Sequence, residues 1–248
     1  MRAPSRYEKL GFKVVLERDW LDLTANLVIQ GKTSAESREI LRSGISSSGK
    51  RSELTTKFAV QILRAWIDPE DDLALFRNQL LTKIKTIPRE QWIILHWACL
   101  TAAYPFLLSF SSVFGRLISL QNETTKAQLL ARLQDIYGAR EAVERALYYA
   151  LGSFVNWGLI IRTSESNILR APEKITVADD RIGILLWKSI LHATQGNRLS
   201  VGALRNSPAL YAFDMPDIYP AQRMEDTPDL CYQRNAGEDI LTIHQSMR

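Results

Sequence analysis

Residues 91–115 (QWIILHWACLTAAYPFLLSFSSVFG) contain no Asp, Glu, Lys or Arg, and this uncharged run constrains the fold more than any other feature. Either it crosses a bilayer, which takes roughly 20 apolar residues as a helix, or other elements must wrap it on every side. Its own residues oppose the first solution. His96, Ser109, Ser111 and Ser112 are poor neighbours for lipid, and Tyr104-Pro105 interrupts a single helix, because proline lacks an N–H and restricts the residue before it. The expectation is two core helices, 89–103 and 105–120, meeting at the proline, and no membrane span.

A buried helical pair needs a sizeable protein around it. With 248 residues, 46% hydrophobic and 23% charged, the chain has an ordinary globular balance with room for one large or two small domains. Cys99 and Cys231 stand far apart, so neither a disulfide framework nor a zinc site is indicated. The first ten residues carry charges and no apolar core of a secretory leader, which leads to the expectation of a cytoplasmic protein.

Around the uncharged run the pattern is helical. Trp20, Leu21, Leu23, Leu27 and Val28 recur at helical spacing and Gly31 ends the segment. A short helix is expected over 34–42, capped by Thr33 or Ser34, then a polar loop over 43–52. Leu54, Phe58, Ile62, Leu63 and Trp66 mark another helix, stopped at Asp68-Pro69, and helix resumes from Asp71 to about Lys85. Residues 1–120 are thus expected to be a helical bundle.

Beyond it, Thr124 or Thr125 caps a helix with Leu129, Leu130, Leu133 and Ile136 on one face, closed by Gly138. A longer helix buries Val143, Leu147, Ala150, Leu151 and Phe154 and ends at Gly158. The period then changes. Residues 159–163 and 168–170, continuing toward 175–177, are short β-prone runs about a polar turn. Helix, tight turn, longer helix and β-hairpin are the order of a winged helix-turn-helix, in which the second helix enters the major groove and the hairpin wing touches phosphate. Residues 121–195 are therefore expected to form a winged-helix-like module. Its outward positions are Arg140, Glu141, Glu144, Arg145 and Tyr148, with Arg162, Arg170 and Lys174 on or near the wing. The glutamates weaken a groove-helix reading, and Glu141 and Arg145 stand at i,i+4, where they can simply pair.

The last segment, 196–248, is expected to be an acidic, loop-rich tail closed by a small hairpin of residues 230–233 and 240–243. From Asn206 onward three arginines face seven carboxylates, a balance of −4, so the rest carries +8 of a chain total of +4. A polyanion meets the first part. The tail is expected to be a structural cap.

Two other motifs bear on chemistry. Residues 44–50 match the first seven positions of the phosphate loop G-x-x-x-x-G-K-[ST], but Arg51 replaces the magnesium-binding hydroxyl and no strand precedes Gly44. Nucleotide hydrolysis is not expected, whereas Lys50, Arg51 and Lys57 suit a nucleic-acid phosphate. His96, His192 and His244 are scattered without ligand spacing, and no nucleophile or paired-acid motif accompanies them. No catalysis, cofactor or metal is expected.

The order of these features resembles the BrxA-like family of small accessory proteins from BREX-type phage-defence operons. The likeness lies in the helical pair over 23–41, the Arg51-Ser52, Lys57 and Leu63 helix, Tyr104-Pro105-Phe106 with Phe110, and Val143, Leu151 and Trp157-Gly158-Leu159-Ile160. It covers roughly residues 20–190 in pattern. The resemblance implies a helical fold with a winged-helix-like part, DNA as partner and other defence proteins as neighbours. This chain differs in its length, its acidic tail and its glycine-flanked Lys50-Arg51 loop, and no functional residue carries over. The combined expectation is a mainly α, non-catalytic protein that binds double-stranded DNA through Lys50, Arg51, Lys57, Arg140, Arg145, Arg162, Arg170 and Lys174, the alternative being a protein-interaction scaffold without DNA contact.

Overall fold

The computed structural model describes residues 6–8, 10–47, 52–163, 167–222, 225, 227–235 and 237–244. Helix α1 (Arg18–Ile29) buries Trp20, Leu21, Ala25 and Leu27, and Gly31 follows it at φ 72°. Helix α2 (Ser34–Ser47) opens on a reciprocal cap: Thr33 Oγ1 accepts from the Glu36 N–H at 3.2 Å, and the Thr33 N–H donates to the Glu36 carboxylate at 2.8 Å. It is longer than its sequence suggests. Residues 43–47, expected in a polar loop, are helical because Ile45 and Leu41 sit one turn apart and are both fully buried. Gly44 is therefore inside a helix, which removes the phosphate-loop geometry. In α3 (Glu53–Ile67), Ser52 caps the Thr55 N–H, and the buried row is Ala59, Ile62, Leu63 and Trp66. Leu54, expected on that row, is exposed.

A 3-10 turn leads to α4 (Ala74–Ile84), and a second, Arg89–Gln91, opens α5 (Trp92–Ala103). Pro105 then begins α6 (Pro105–Gln121), where its missing N–H costs nothing. The direction changes by 118° at this break, as the proline predicts. No single helix among the described residues is long and apolar enough to cross a membrane. Every residue of α5 from Ile93 to Ala102 is buried. Gly115 in α6 permits a close backbone approach, since a Cβ there would lie 1.9 Å from the carbonyl oxygen of Pro208.

After α6 come β1 (Glu123–Thr125), α7 (Lys126–Tyr137), α8 (Glu141–Asn156), β2 (Ile161–Arg162) and β3 (Ile168–Arg170). β3 is central, antiparallel to both β1 and β2. β4 (Ile175–Thr176) does not extend the expected hairpin. It pairs in parallel with β6 (Phe213–Asp214), which follows α9 (Asp180–Ala193), β5 (Arg198–Ser200) and α10 (Val201–Arg205). The closing hairpin of β7 (Leu230–Asn235) and β8 (Glu238–Ile243) forms as expected, and β5 adds a third strand against β8.

One continuous buried apolar cluster, from Phe12 to Ile243, links these elements. Its largest helix–helix contact joins α5 to α9, so α9 supplies much of the wrapping that the uncharged run requires. α9 also carries a fully buried cation. Lys188 Nζ bonds the Gln79 side-chain oxygen and pairs with Asp229 Oδ2 at 2.5 Å, while the Gln79 amide donates to Asp229 Oδ1 at 3.1 Å. Burial would raise the Asp229 pKa, but the Lys188 ammonium and the Gln79 amide outweigh it and hold the carboxyl below its ordinary value. Asp229 precedes β7, so this triad ties the acidic tail to α4 and α9.

Removing one partner of such a pair strands the other charge in the interior. Lys188→Ala is expected to lower unfolding free energy in urea by about 3–5 kcal/mol. Lys188→Met combined with Asp229→Leu is expected to cost much less than the single change, and equal losses in the two variants would contradict the assignment.

Candidate nucleic-acid interface

The α7–α8 pair is set by local sequence. The Thr125 side chain accepts from the Gln128 N–H, and the Gln128 side-chain oxygen accepts from the Thr125 N–H, closing a capping box. Leu129 and Leu133 face inward, and Gly138 at φ 82° makes the turn that β-carbon-bearing residues resist. In α8 the buried positions Val143, Ala146, Leu147, Ala150, Leu151 and Phe154 repeat at helical spacing, as expected. Its far end is anchored: Phe154 meets Phe110 edge-on at 4.8 Å, and the Trp157 indole N–H donates to the Leu16 carbonyl at 2.9 Å. The exposed half is the first one, with Glu141, Glu144, Arg145 and Tyr148.

Strand register decides where Arg162 and Arg170 point. Glu123, Arg170 and Ile161 are paired across one face, and Thr124, Leu169 and Arg162 across the other. Thr124 and Leu169 are buried, so theirs is the core face. Arg170 therefore projects outward, where it pairs with Glu123 at 2.9 Å, whereas Arg162 lies in the core-side row but is exposed at the edge strand. These two arginines do not share a face. Lys174 is exposed just before β4, beside the parallel β4–β6 pair rather than on the β2–β3 hairpin.

Most cations near α8 have a local partner. Arg145 pairs with Glu141 at 3.1 Å, Lys126 pairs with Glu144 at 3.6 Å and lies 5.9 Å from the Tyr148 ring centre, and Arg140 Nε donates to the Tyr137 carbonyl at 3.1 Å. Exposed pairs of this kind are worth about 0–1 kcal/mol each, so a phosphate can displace them. Lys126 was not anticipated from sequence. Its signal was only a basic residue at the first position after a cap, on a helix whose role depends on its neighbour.

The structure also brings together residues that sequence kept apart. Arg140, the N-cap of α8, lines a cleft with Lys13 and Arg64, and Gln61 and Arg64 stand one and two turns beyond Lys57 on the exposed side of α3. The Lys57 side chain makes no hydrogen bond or ion pair with another described residue, and the same holds for the side chains of Arg162 and Lys174. Lys50 and Arg51 lie outside the described residues.

Elsewhere the buried His96 has acquired a partner that its spacing hid. His96 Nε2 is 3.0 Å from Asp22 Oδ1, and Asp22 Oδ2 accepts from Arg89 Nε at 2.8 Å. Trp66 and Trp92 stand edge-on to the imidazole, which is fully buried, and burial outweighs Asp22 in lowering its pKa. The ring has no exposed surface. No group of three metal-ligating side chains occurs among the described residues, and both cysteines are free. Compared with known proteins, the chain matches no family model, no curated protein and no solved structure.

His192 is the more informative titrating group. It packs against Phe76 at 4.9 Å, and neither ring nitrogen has a hydrogen-bond partner among the described residues. Burial first, and then the nearby Arg6 and Lys188 cations, push its pKa down to about 4. A folded pKa below the unfolded value of about 6.5 means that the unfolded chain binds more protons between those limits, so stability falls as pH drops through that window. The part due to His192 is about 3 kcal/mol. Urea unfolding from pH 7 to pH 4 is expected to show this slope, and His192→Leu is expected to flatten it; a slope unchanged in the variant would contradict the assignment.

Proposed function

We propose that this protein is a non-catalytic, cytoplasmic DNA-binding accessory factor whose α7–α8 pair and β2–β3 hairpin act as a winged helix on duplex DNA. The observation that carries this reading is connectivity. The run α6, β1, α7, α8, β2, β3, with β3 central between β1 and β2, is the arrangement in which a winged helix presents the second helix of its turn to a groove and its hairpin to the backbone. The exposed first half of α8 supports it, as does the +8 balance of residues 1–205. Arg140, Arg145 and Arg162 are the leading contacts, with Arg170, Lys174 and Lys57 flanking them and Lys50 and Arg51 continuing the basic track along the sequence. The resemblance to BrxA-like proteins supports a place in a BREX-like phage-defence system.

A second reading is favoured by one set of distances. Glu123, Glu141 and Glu144 each hold a cation on this surface, and mixed charges with an exposed Tyr148 also suit a protein partner. On that reading the chain is a scaffold subunit of a defence complex without DNA contact.

Fluorescence anisotropy on a duplex of about 25 base pairs separates the two. Binding is expected to weaken linearly on a log–log plot of affinity against salt, and Arg145→Ala with Arg162→Ala to reduce the slope by about two phosphate contacts. Glu141→Gln with Glu144→Gln is expected to tighten binding. Absence of binding at about 50 mM salt would overturn the DNA reading and leave the scaffold.

A further inference from the structure

The cleft beside the first turn of α8 shares Arg140 with the proposed duplex contacts, but the rest of its lining is separate from them. It encloses about 520 Å³, within the range of small-molecule sites, about 300–1000 Å³. Its walls come from the segment before α1, from α3, from the chain after α3, from the α5–α6 break and from Arg140. The apolar part is Leu10, Ile62, Leu73 and the Tyr104 ring. The ring is held there: its hydroxyl reaches the Gln61 and Ile62 carbonyls at 3.4 and 3.3 Å, and Phe12 meets it edge-on at 5.9 Å. Gly11, at φ 71°, leaves room for it, because a Cβ would come within 2.6 Å of the ring.

The polar part divides by whether its charges are already spent. Asp68 accepts from both Arg38 and Arg64, at 2.7 and 3.0 Å, and Glu70 lies 3.3 Å from Arg6. Lys13 has only the Phe58 ring, 5.3 Å away, and Arg140 only the Tyr137 carbonyl. Neither makes an ion pair with a described residue. Arg6 is 8% exposed and binds Asp72 at 2.6 Å, yet its buried Nε–H has no acceptor among the described residues. Four cations against two carboxylates leave the lining net positive.

A ligand that satisfies this lining carries a concentrated negative charge for Lys13 and Arg140, hydroxyl or amino donors for the free oxygens of Asp68 and Glu70, and a flat apolar body for Leu10, Ile62 and Tyr104. We propose that the cleft binds a nucleoside monophosphate, either free or as the 5′-phosphorylated end of a strand, with the phosphate between Lys13 and Arg140. This site does not rest on the winged-helix reading, and Lys13 lies outside the duplex contacts proposed above.

Calorimetric titration of the full chain with AMP tests it, adenosine serving as the uncharged control. AMP is expected to bind at least about tenfold more tightly than adenosine, and Lys13→Ala and Arg140→Ala each to weaken AMP by about fivefold or more. Both side chains are exposed or at the rim, and matching far-UV melting curves identify folded variants. Titration with 5′-phosphorylated and 5′-hydroxyl single strands sorts the source: Lys13-dependent preference for the phosphorylated strand indicates a strand end, and AMP binding without that preference indicates a free nucleotide. No heat with AMP up to about 1 mM, or unchanged affinity in the Lys13→Ala, Arg140→Ala double variant, would overturn the proposal. Lys13→Ala is expected to leave duplex affinity unchanged, so the two readings fail separately.

Discussion

Pro105 is the constraint on which the rest of the structure depends. It turns an uncharged run into two helices at 118° and forces both to be enclosed by protein. α9 and the segment around Pro208 supply that enclosure, one along α5 and the other against Gly115 of α6. The α6 end of the run then leads through Asn122, at φ 61°, into β1, which makes the sheet of β1, β3 and β2 an extension of the same core. The exposed half of α8 is presented by this framework, since Phe154 and Trp157 lock its other end to α6 and to the chain before α1.

The interior is unusually charged for so apolar a centre. Lys188, Asp229, Arg6 and the Asp22–His96 pair are all buried. Each joins distant parts of the chain: Lys188 and Asp229 connect α9 to the tail, Arg6 connects the turn at residues 6–8 to Asp72, and Asp22 connects α1 to α5 and Arg89. Apolar contacts alone would leave such docking orientations loosely specified, and buried charge pairs exact complementary partners at fixed distances. The acidic tail is in this sense part of the core through Asp229, in keeping with a structural cap.

The candidate interface is a composite. Its helix face carries arginines beside glutamates, its two strand arginines lie on opposite faces of the sheet, and its N-cap arginine belongs equally to the cleft with Lys13 and Arg64. A surface of mixed, weakly paired charges can exchange partners at little cost, because exposed ion pairs contribute so little. Glu141 and Arg145 form one such exposed pair, at i and i+4 on α8.

Local physics made much of the fold legible. The break at Pro105, the capping box at Thr125 and Gln128, the turn at Gly138, the inward row of α8 and the closing hairpin depend on neighbours within a few residues, and periodicity and capping chemistry expose such features in one dimension. What went unread depends on contacts far along the chain. Residues 43–47 look like a loop until Ile45 is buried, β4 looks like part of the wing until β6 arrives beside it, and β1 and β5 are strands only because β3 and β8 pair with them. The same holds for the chemistry. By itself the sequence determined which residues carry charge and which helix exposes them. Only the tertiary structure decided that Lys188 meets Asp229, that Asp22 meets His96, that Arg162 and Arg170 part company, and that Arg140 joins Lys13, because these pairings are made by packing between elements and leave no spacing for the sequence to display.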